Sequence, residues 1–295
     1  MVLSDNARGA LYMCLAMASF TLNDSCMKAV TERLPTFEAA ALRAMMVVPA
    51  LMLVAHRRGG LRLRLGPDAP TVGWRCLGEV LSTVLYLYAL KHMPLANISA
   101  IMQSLPLAVT LAAALFLGEP IGWRRASAIL VGFAGVMLII RPGGEGFDRW
   151  SLLALASVAA VVLRDLASRR VSRALPSVTV AIWSAGSVGV LSVLSAPFAG
   201  GWPQPTGTEA LWLLAAASCL VVGYITSVAA MRVGEVGFVA PFRYTSLIWA
   251  IGLGWLVFDQ LPGRLTSLGA AVVIATGLFT LYRERQARRQ ALARG

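Results

Sequence analysis

The 295-residue sequence is poor in charge: Asp, Glu, Lys and Arg make up 14% of it, whereas hydrophobic residues make up 58%. Soluble domains carry roughly 25% charged residues. A deficit spread over the whole length excludes an ordinary soluble domain and predicts a polytopic membrane protein. Basic residues outnumber acidic ones by 26 to 14. They lie in short clusters between apolar runs, so nucleic-acid binding is not predicted.

Cysteine and histidine are also scarce, and their spacing excludes a clustered metal site. None of them forms a CxxC motif, and they are Cys14, Cys26, Cys76, Cys219, His56 and His92. A zinc or haem site needs a tighter group of ligands. We therefore expect no metal and no cofactor. The N-terminal apolar run is too long, and its flank too poor in charge, for a cleavable signal peptide.

Long apolar runs are what the sequence has in abundance. A helix needs roughly 20 apolar residues to cross a bilayer, and the runs predict about ten transmembrane helices. Their predicted limits are 9–27, 36–55, 75–90, 95–117, 126–140, 150–167, 177–198, 210–231, 236–258 and 265–282. The fold class is therefore all-α and polytopic. Loops of any length are expected only at 57–72, 141–149 and 199–209.

The distribution of basic residues predicts the orientation. Three of the 26 lysines and arginines lie within spans, namely Arg43, Arg164 and Arg243. With the N-terminus inside, seventeen others fall on the cytoplasmic side and six on the outer side, and these six are Lys28, Arg33, Lys91, Arg141, Arg149 and Arg264. Since positive residues accumulate on the cytoplasmic side, both termini are predicted to be cytoplasmic, in a bacterial inner membrane.

One stretch near the N-terminus returns in the second half of the chain. Residues 11–35 read LYMCLAMASFTLNDSCMKAVTERLP, and 141 positions later the chain reads LLALASVAAVVLRDLASRRVSRALP. This offset places Asp24 on Asp165 and Lys28 on Arg169, and both copies end in Leu-Pro. The coincidence predicts two related halves.

We take the two repeats as residues 1–142 and 143–295. Each repeat contains five spans, and because five is odd the second repeat enters the membrane inverted. Inverted repeats are a recurring architecture of secondary transporters, with the substrate site near the midplane.

The repeated charged pair is the main candidate for function. A carboxylate and a cation four residues apart lie on one helix face and can pair, but charges within an apolar run are costly in lipid and usually functional. Asp24 with Lys28 is either a gating or proton-linked site or a neutralised pair that fixes helix orientation. Asp165 with Arg169 is the mirror pair, a gate at the cytoplasmic end or a structural pair. For this second pair the structural interpretation is favoured, because the pair lies nearer the membrane interface, where charged groups cost less free energy.

Two more charged residues lie within the predicted spans. Arg43 is about eight residues into the second span, too deep for easy snorkelling. It could bind a substrate carboxylate or phosphate through its forked guanidinium, or it could pair with Asp24 or Glu79. Glu79 lies one turn into the third span and is the second candidate for carrying a proton.

The fourth and ninth spans each combine polar side chains with a proline. Asn97 and Gln103 lie in the fourth span, and Arg243 and Tyr244 lie in the ninth. Polar, proline-interrupted helices at matching places in two halves indicate the binding site of a transporter. Three further aromatic residues either stack a planar part of a substrate or pack against lipid and protein, and they are Tyr86, Trp183 and Tyr224.

The fifth and tenth spans differ from the others because they carry almost no polar side chain. Small residues recur in them, at Gly132 and Gly135 in one and at Gly269 and Gly277 in the other. Such helices suit close packing rather than the lining of a wet path. The site is therefore expected among the other eight spans.

Several runs of the sequence resemble the drug/metabolite transporter superfamily, in its ten-span type with two EamA-like repeats. They are FTLNDSCMK in the first span, Arg43 in the second, ALKHMPLANISAIMQSLPLAVTLAAALFLGEPI across spans three to five, and MRVGEVGFVAPFRYTSLIWAIGLGWLVFDQLP across spans eight to ten. The resemblance implies a central cavity lined by spans 1–4 and 6–9. The last run looks closest to a bacterial subgroup that includes riboflavin transporters and carriers of amino acids and related metabolites.

Residues and resemblance together predict a secondary transporter that moves a small anionic or zwitterionic metabolite by alternating access. Protons are the candidate coupling ion, and membrane lipids are expected to surround the protein. The sequence is compatible with a monomer and with a homodimer. The alternative is an intramembrane lipid-modifying enzyme, but the sequence has no GxSxG or HExxH motif. A channel would need a continuous polar stripe, whereas the polar residues here cluster at mid-membrane.

Overall fold

Every regular element in the described part of the chain is helical. The computed structural model describes residues 4–57, 63–118, 122–141, 149–172, 174–195, 198, 204–233 and 236–292. A helix suits a bilayer because it satisfies its backbone hydrogen bonds within one segment. The α-helices are α1 (Asp5–Thr31), α2 (Thr36–Arg57), α3 (Ala69–His92), α4 (Leu95–Met102), α5 (Leu105–Leu117), α6 (Trp123–Ile140), α7 (Trp150–Arg170), α8 (Ser177–Ser195), α9 (Gly207–Val233), α10 (Val236–Val239), α11 (Thr245–Phe258) and α12 (Arg264–Leu292).

These helices make up ten spans, which confirms the all-α polytopic fold. Helices α4 and α5 form the fourth span, and α10, a 3-10 helix at Ala240–Tyr244 and α11 form the ninth. Among the described residues, seven spans are long and apolar enough to cross a membrane, namely Thr36–Arg57, Leu95–Leu117, Trp123–Ile140, Trp150–Arg170, Ser177–Ser195, Gly207–Met231 and Arg264–Arg283. The other three are α1 and α3, which carry charged residues, and the ninth span, which is divided into short pieces.

The fourth and ninth spans are interrupted at their prolines. Gln103 and Ser104 form a turn between α4 and α5, and the 3-10 helix precedes α11. Pro106 and Pro241 lack the N–H that would bond the carbonyl four residues earlier. The limits of the fourth span are as predicted, but its helix is in two parts.

One of the three long connections is shorter than the sequence predicted, because helix α3 begins at Ala69 rather than at residue 75. The third connection is shifted, since α8 ends at Ser195 and α9 begins at Gly207. A short 3-10 helix at Gly66–Asp68 precedes α3. Much of the three predicted loops, at 58–62, 142–148 and 199–203, lies outside the described residues.

The repeated Leu-Pro has the same local structure in both copies. Helices α2 and α8 begin directly after Pro35 and Pro176. Each proline carbonyl accepts a hydrogen bond from the backbone N four residues later, that of Ala39 at 3.0 Å and that of Val180 at 3.4 Å. Proline suits a helix start because the N–H it lacks would be unpaired there.

Two compact units divide the chain, and each draws segments from both predicted repeats. The first unit comprises Met1–Thr21, Met93–Leu152 and Val222–Gly295, and the second comprises Leu22–His92 and Leu153–Val221. Helices α1, α7 and α9 contribute to both units.

In the first unit, α6 packs along α12 and α4 packs on α11. The backbones of α6 and α12 approach closely where Gly135 faces Gly269, because a β-carbon at either position would crowd the backbone or side chains of the other helix. The sequence predicted this close packing from the small residues of the fifth and tenth spans. A separate apolar core joins Met13 and Met17 of α1 to Val239.

In the second unit, α8 packs on both α2 and α3. The core between α2 and α8 contains Val47, Leu51 and Ile182, and Ala217 of α9 joins it. These apolar contacts hold α2, which carries Arg43, and so position that side chain.

Candidate functional site

A chain of hydrogen bonds links four polar side chains of the second unit, which we call the Asp24 cluster. Tyr86 of α3 donates its hydroxyl to Asp24 Oδ2 at 2.8 Å, and Asn23 Nδ2 donates to Asp24 Oδ1 at 3.0 Å. Arg43 of α2 donates to Asn23 Oδ1 at 3.1 Å. Asn23 and Arg43 are buried, with 3% and 9% of their surfaces exposed. Three predicted site residues, Asp24, Arg43 and Tyr86, are thus brought together on three helices.

Lys28 has a partner outside the predicted pair with Asp24. Its Nζ donates to the carbonyl of Leu90 at 2.8 Å, and the side chain is only 4% exposed. Leu90 lies in the last turn of α3, where carbonyls lack helical donors and the helix dipole favours a cation. Lys28 therefore ties the end of α1 to the end of α3.

A second polar group, which we call the Glu79 cluster, contains two carboxylates and two guanidinium groups. Glu79 Oε2 lies 3.4 Å from Arg75 NH1 and 3.6 Å from Arg164 NH1. Arg164 Nε donates to Asp165 Oδ1 at 3.0 Å, and Arg75 also donates to Ser184 Oγ of α8. The cluster joins α3, α7 and α8, and it brings the predicted residues Glu79 and Asp165 into one network. Arg169 lies one turn beyond Asp165 and is exposed.

Close packing between α3 and α7 accompanies the Glu79 cluster. A β-carbon at Gly78 would lie 2.8 Å from the backbone N of Arg164 and 2.9 Å from its Cα. One turn further, Ser157 donates its hydroxyl to the carbonyl of Ser82 at 3.1 Å. The charged groups are therefore held by two helices in backbone contact.

In the first unit, Gln103 bonds across the two interrupted spans. Its Nε2 donates to Ser246 Oγ at 2.8 Å and to the carbonyl of Tyr244 at 3.4 Å. Gln103 and Tyr244 are 141 positions apart, which is the offset of the repeat. The contact joins corresponding breaks of the two repeats, because Gln103 lies at the break of the fourth span and Tyr244 and Ser246 lie at the break of the ninth.

Among the buried polar atoms of the first unit that have no hydrogen-bond partner in the described residues, two belong to predicted site residues. They are Asn97 Oδ1 and Tyr244 Oη. The Tyr244 side chain is 6% exposed and points at Gly277 of α12, where a β-carbon would overlap the hydroxyl. Tyr244 thus packs against α12, whereas Arg243 beside it is exposed.

Two predicted aromatic residues lie apart from these clusters within their own units. Trp183 is 44% exposed and donates its indole N–H to the carbonyl of Leu63 at 3.0 Å. Tyr224 packs edge-on against Phe20, with ring centroids 5.8 Å apart. Among the described residues, no three His, Cys, Asp or Glu side chains form a group that could hold a metal ion.

The sequence analysis missed three contributors. Asn23 was part of a quoted run but was given no role, although it joins Arg43 to Asp24. Arg75 is one of the seventeen basic residues predicted to lie on the cytoplasmic side, and its i, i+4 spacing to Glu79 is the signal that identifies it. Ser184 gives no such signal, because a single serine in an apolar helix usually bonds its own backbone.

The model of the EamA-like transporter family matches the chain twice, over residues 7–141 and 148–282. The chain belongs to this family. The predicted resemblance is therefore confirmed, and the two matched segments together cover most of the sequence.

Curated relatives match over nearly their whole length. A riboflavin transporter of Rhizobium johnstonii is 28% identical, with 96% of this chain and 93% of the relative covered. An S-adenosylmethionine uptake transporter of Rickettsia bellii is 25% identical, with 95% of each covered. A pseudopaline exporter of Pseudomonas aeruginosa is 25% identical, with 93% and 96% covered. A solved crystal structure at 22% identity shares the fold, with a TM-score of 0.66 over 94% of this chain and 98% of the other.

The family and its relatives establish the class of the protein. It is a small-molecule transporter of the EamA-like family, not an enzyme, and a multi-pass protein of the inner membrane. Relatives named for uptake and for export both appear, so the family alone does not give a direction.

Proposed function

We propose that this EamA-like transporter moves a small metabolite with an anionic or zwitterionic group by alternating access, with the Asp24 cluster at the centre of its mechanism. The observation that carries the proposal is the hydrogen-bonded chain from Tyr86 through Asp24 and Asn23 to Arg43. Burying charged groups is a poor way to stabilise a fold, and in a bilayer such groups usually mark a substrate or ion path. A role in transport therefore explains these charged groups better than a role in stabilising the fold.

The substrate class follows from the chemistry of Arg43 and from the relatives. A guanidinium binds carboxylate or phosphate through two parallel donors, and Arg43 donates to the neutral amide of Asn23. Exchanging that amide for a substrate anion would add a charge-assisted bond. The names of relatives that transport riboflavin, S-adenosylmethionine and pseudopaline support a small metabolite as the substrate.

The remaining predicted site residues are proposed to contact the substrate or to gate its movement. We propose substrate binding for Asn97 and Gln103 of the fourth span and for Arg243 and Tyr244 of the ninth because the two spans are interrupted at matching places. Supporting roles are proposed for Lys28, Glu79, Trp183 and Tyr224. The outer gate is assigned to Asp24 with Lys28 and the inner gate to Asp165 with Arg169, both termini being cytoplasmic.

Coupling to protons is assigned to Asp24 before Glu79. The hydrogen bonds to Asp24 come from the neutral groups of Tyr86 and Asn23, whereas Glu79 lies between two guanidinium groups. Protonating Glu79 would break two ion pairs. Asp24 can gain and lose a proton with a smaller rearrangement of its neighbours.

Transport into proteoliposomes tests the proposal. A thermal-shift screen over flavins, amino acids, nucleosides and quaternary amines first selects a ligand, since a ligand that prefers the folded state raises Tm. We then expect uptake that depends on a pH gradient in the unmodified protein and loses that dependence in Asp24→Asn. The matched control is Asp259→Asn, an exposed residue at the left-handed end of α11, where asparagine is well tolerated.

Two results would contradict the proposal at different levels. Uptake without gradient dependence, together with full activity of Asp24→Asn and Glu79→Gln, would remove proton coupling. Full activity of Arg43→Gln with an anionic substrate would remove the assignment of Arg43 to the substrate.

A further inference from the structure

A groove at one end of the first unit combines apolar walls with a basic mouth. It has a volume of about 370 Å³ and lies between the first half of α6 and the middle of α12. Its lining includes Trp123, Arg124 and Val131 of α6 and Thr276 and Phe279 of α12. None of these residues belongs to the Asp24 or Glu79 clusters, so the transport mechanism gives them no role.

The mouth of the groove has the chemistry of a membrane interface. Trp123 is 75% exposed at the first position of α6, and the Arg124 guanidinium lies 5.3 Å from the centroid of its ring. Tryptophan and arginine at a helix end are typical of the headgroup region. The Ser127 hydroxyl lines the groove one turn deeper.

The walls continue from this mouth into the apolar part of the membrane. Val131 and Phe279 are 52% and 42% exposed. Val131 lies eight residues after Trp123, which corresponds to about 12 Å along the helix. A molecule that fills the groove must therefore be polar at one end and apolar over about a dozen ångströms.

Charge decides which lipid fits. Helix α6 contains no acidic residue, and neither does α12 between Arg264 and Arg283. Arg283 lies on the face of α12 that carries Thr276 and Phe279, because positions i, i+3 and i+7 share a helix face. Basic pockets between transmembrane helices bind the headgroups of anionic lipids.

We propose that the groove between α6 and α12 binds an anionic phospholipid, with its phosphate at Arg124 and an acyl chain along Val131 and Phe279. Arg283 adds positive potential at the mouth, and Trp123 shields the phosphate from water on one side. The site is separate from the substrate path, so it can stand or fall without the proposed transport function.

Binding is measured on the full chain in nanodiscs of phosphatidylcholine with increasing phosphatidylglycerol. Native mass spectrometry counts the phosphatidylglycerol molecules retained, and Tm reports stabilisation of the folded protein. We expect retained phosphatidylglycerol and a raised Tm for the unmodified protein. In Arg124→Gln we expect an apparent affinity roughly fivefold weaker, the effect of one basic residue at a membrane surface.

Two further variants separate the groove from diffuse surface charge. Ser127→Phe fills the groove and leaves all charges in place, so it should also weaken retention. Arg149→Gln is the matched control, because Arg149 lies 4.8 Å from the ring centroid of Trp150 in a similar pair outside the groove. Equal loss in Arg149→Gln and Arg124→Gln, or unchanged retention in Ser127→Phe, would overturn the proposal.

Discussion

Individual polar side chains in this transporter are held by partners far away in sequence. Asp24 bonds Tyr86, 62 positions later, and Lys28 bonds the carbonyl of Leu90 over the same separation. Both contacts join α1 to α3, and both lie within the second unit. Each contact gives a polar atom a partner in an apolar environment, where an unpaired polar atom would be costly.

The bond between Tyr86 and Asp24 can be tested by removing one hydroxyl. We expect Tyr86→Phe to lower the free energy of unfolding by about 1–3 kcal/mol, because a half-buried carboxylate loses its donor. The loss is read as a lower Tm of the purified protein, and initial uptake rates should fall as well.

Tyr88→Phe is the matched control for that variant. Tyr88 lies on the same helix and packs edge-on against Phe37, with ring centroids 5.9 Å apart. The substitution keeps both rings, so Tm should change little. A similar loss in both variants would show that the hydroxyl bond to Asp24 has no special importance.

At the scale of whole helices, the contact between α3 and α7 is the most sensitive to a small addition. We expect Gly78→Ala to lower stability by about 1–3 kcal/mol, because the new methyl group meets the backbone of Arg164 and cannot be relieved by a rotamer change. The Glu79 cluster should be disturbed with it, so transport should also decrease.

Gly73→Ala on the same helix provides the comparison. A β-carbon at position 73 meets nothing within 4 Å, and alanine is the better helix former by roughly 0.5–1 kcal/mol. Its Tm should be unchanged or slightly higher. A Tm of Gly78→Ala equal to that of Gly73→Ala would show that the two helices are less closely packed than described.

Periodicity and composition predict the helices of this protein well but not their partners. The apolar runs predicted ten spans, and the i, i+4 rule placed Asp24 and Lys28 on one face of α1. That rule says nothing about the neighbouring helix, and α3 supplies the groups that both side chains bond. Asn23 shows the same limit, because an asparagine in an apolar helix is informative only once Arg43 of α2 is known to reach it.

Over the whole molecule, the inverted arrangement of the repeats and the side on which the termini lie stay predictions. Both follow from ten spans and from the asymmetry of basic residues. In a variant without its four cysteines, we expect Gln204→Cys to react with a membrane-impermeant thiol reagent from outside intact cells. Ser4→Cys should react only after the membrane is opened.

Labelling of both positions from the same side would contradict the topology. Ser4 and Gln204 are both exposed, so burial does not explain a failure to react. A second pair of positions is Glu32, in the turn that precedes α2, and Arg57, the last residue of α2. These two should give opposite results when each is replaced by cysteine.

The interleaving of the two units has a consequence for how the protein is made. A nascent chain that has reached residue 142 carries α2 without α8 and α6 without α12, and these are the helices against which they pack. Neither unit can be completed before the ribosome has produced most of the second repeat, since the second unit ends at Val221 and the first at the C-terminus. When the gene is split between the repeats, each half should therefore accumulate as stable protein only if the other half is synthesised in the same cell.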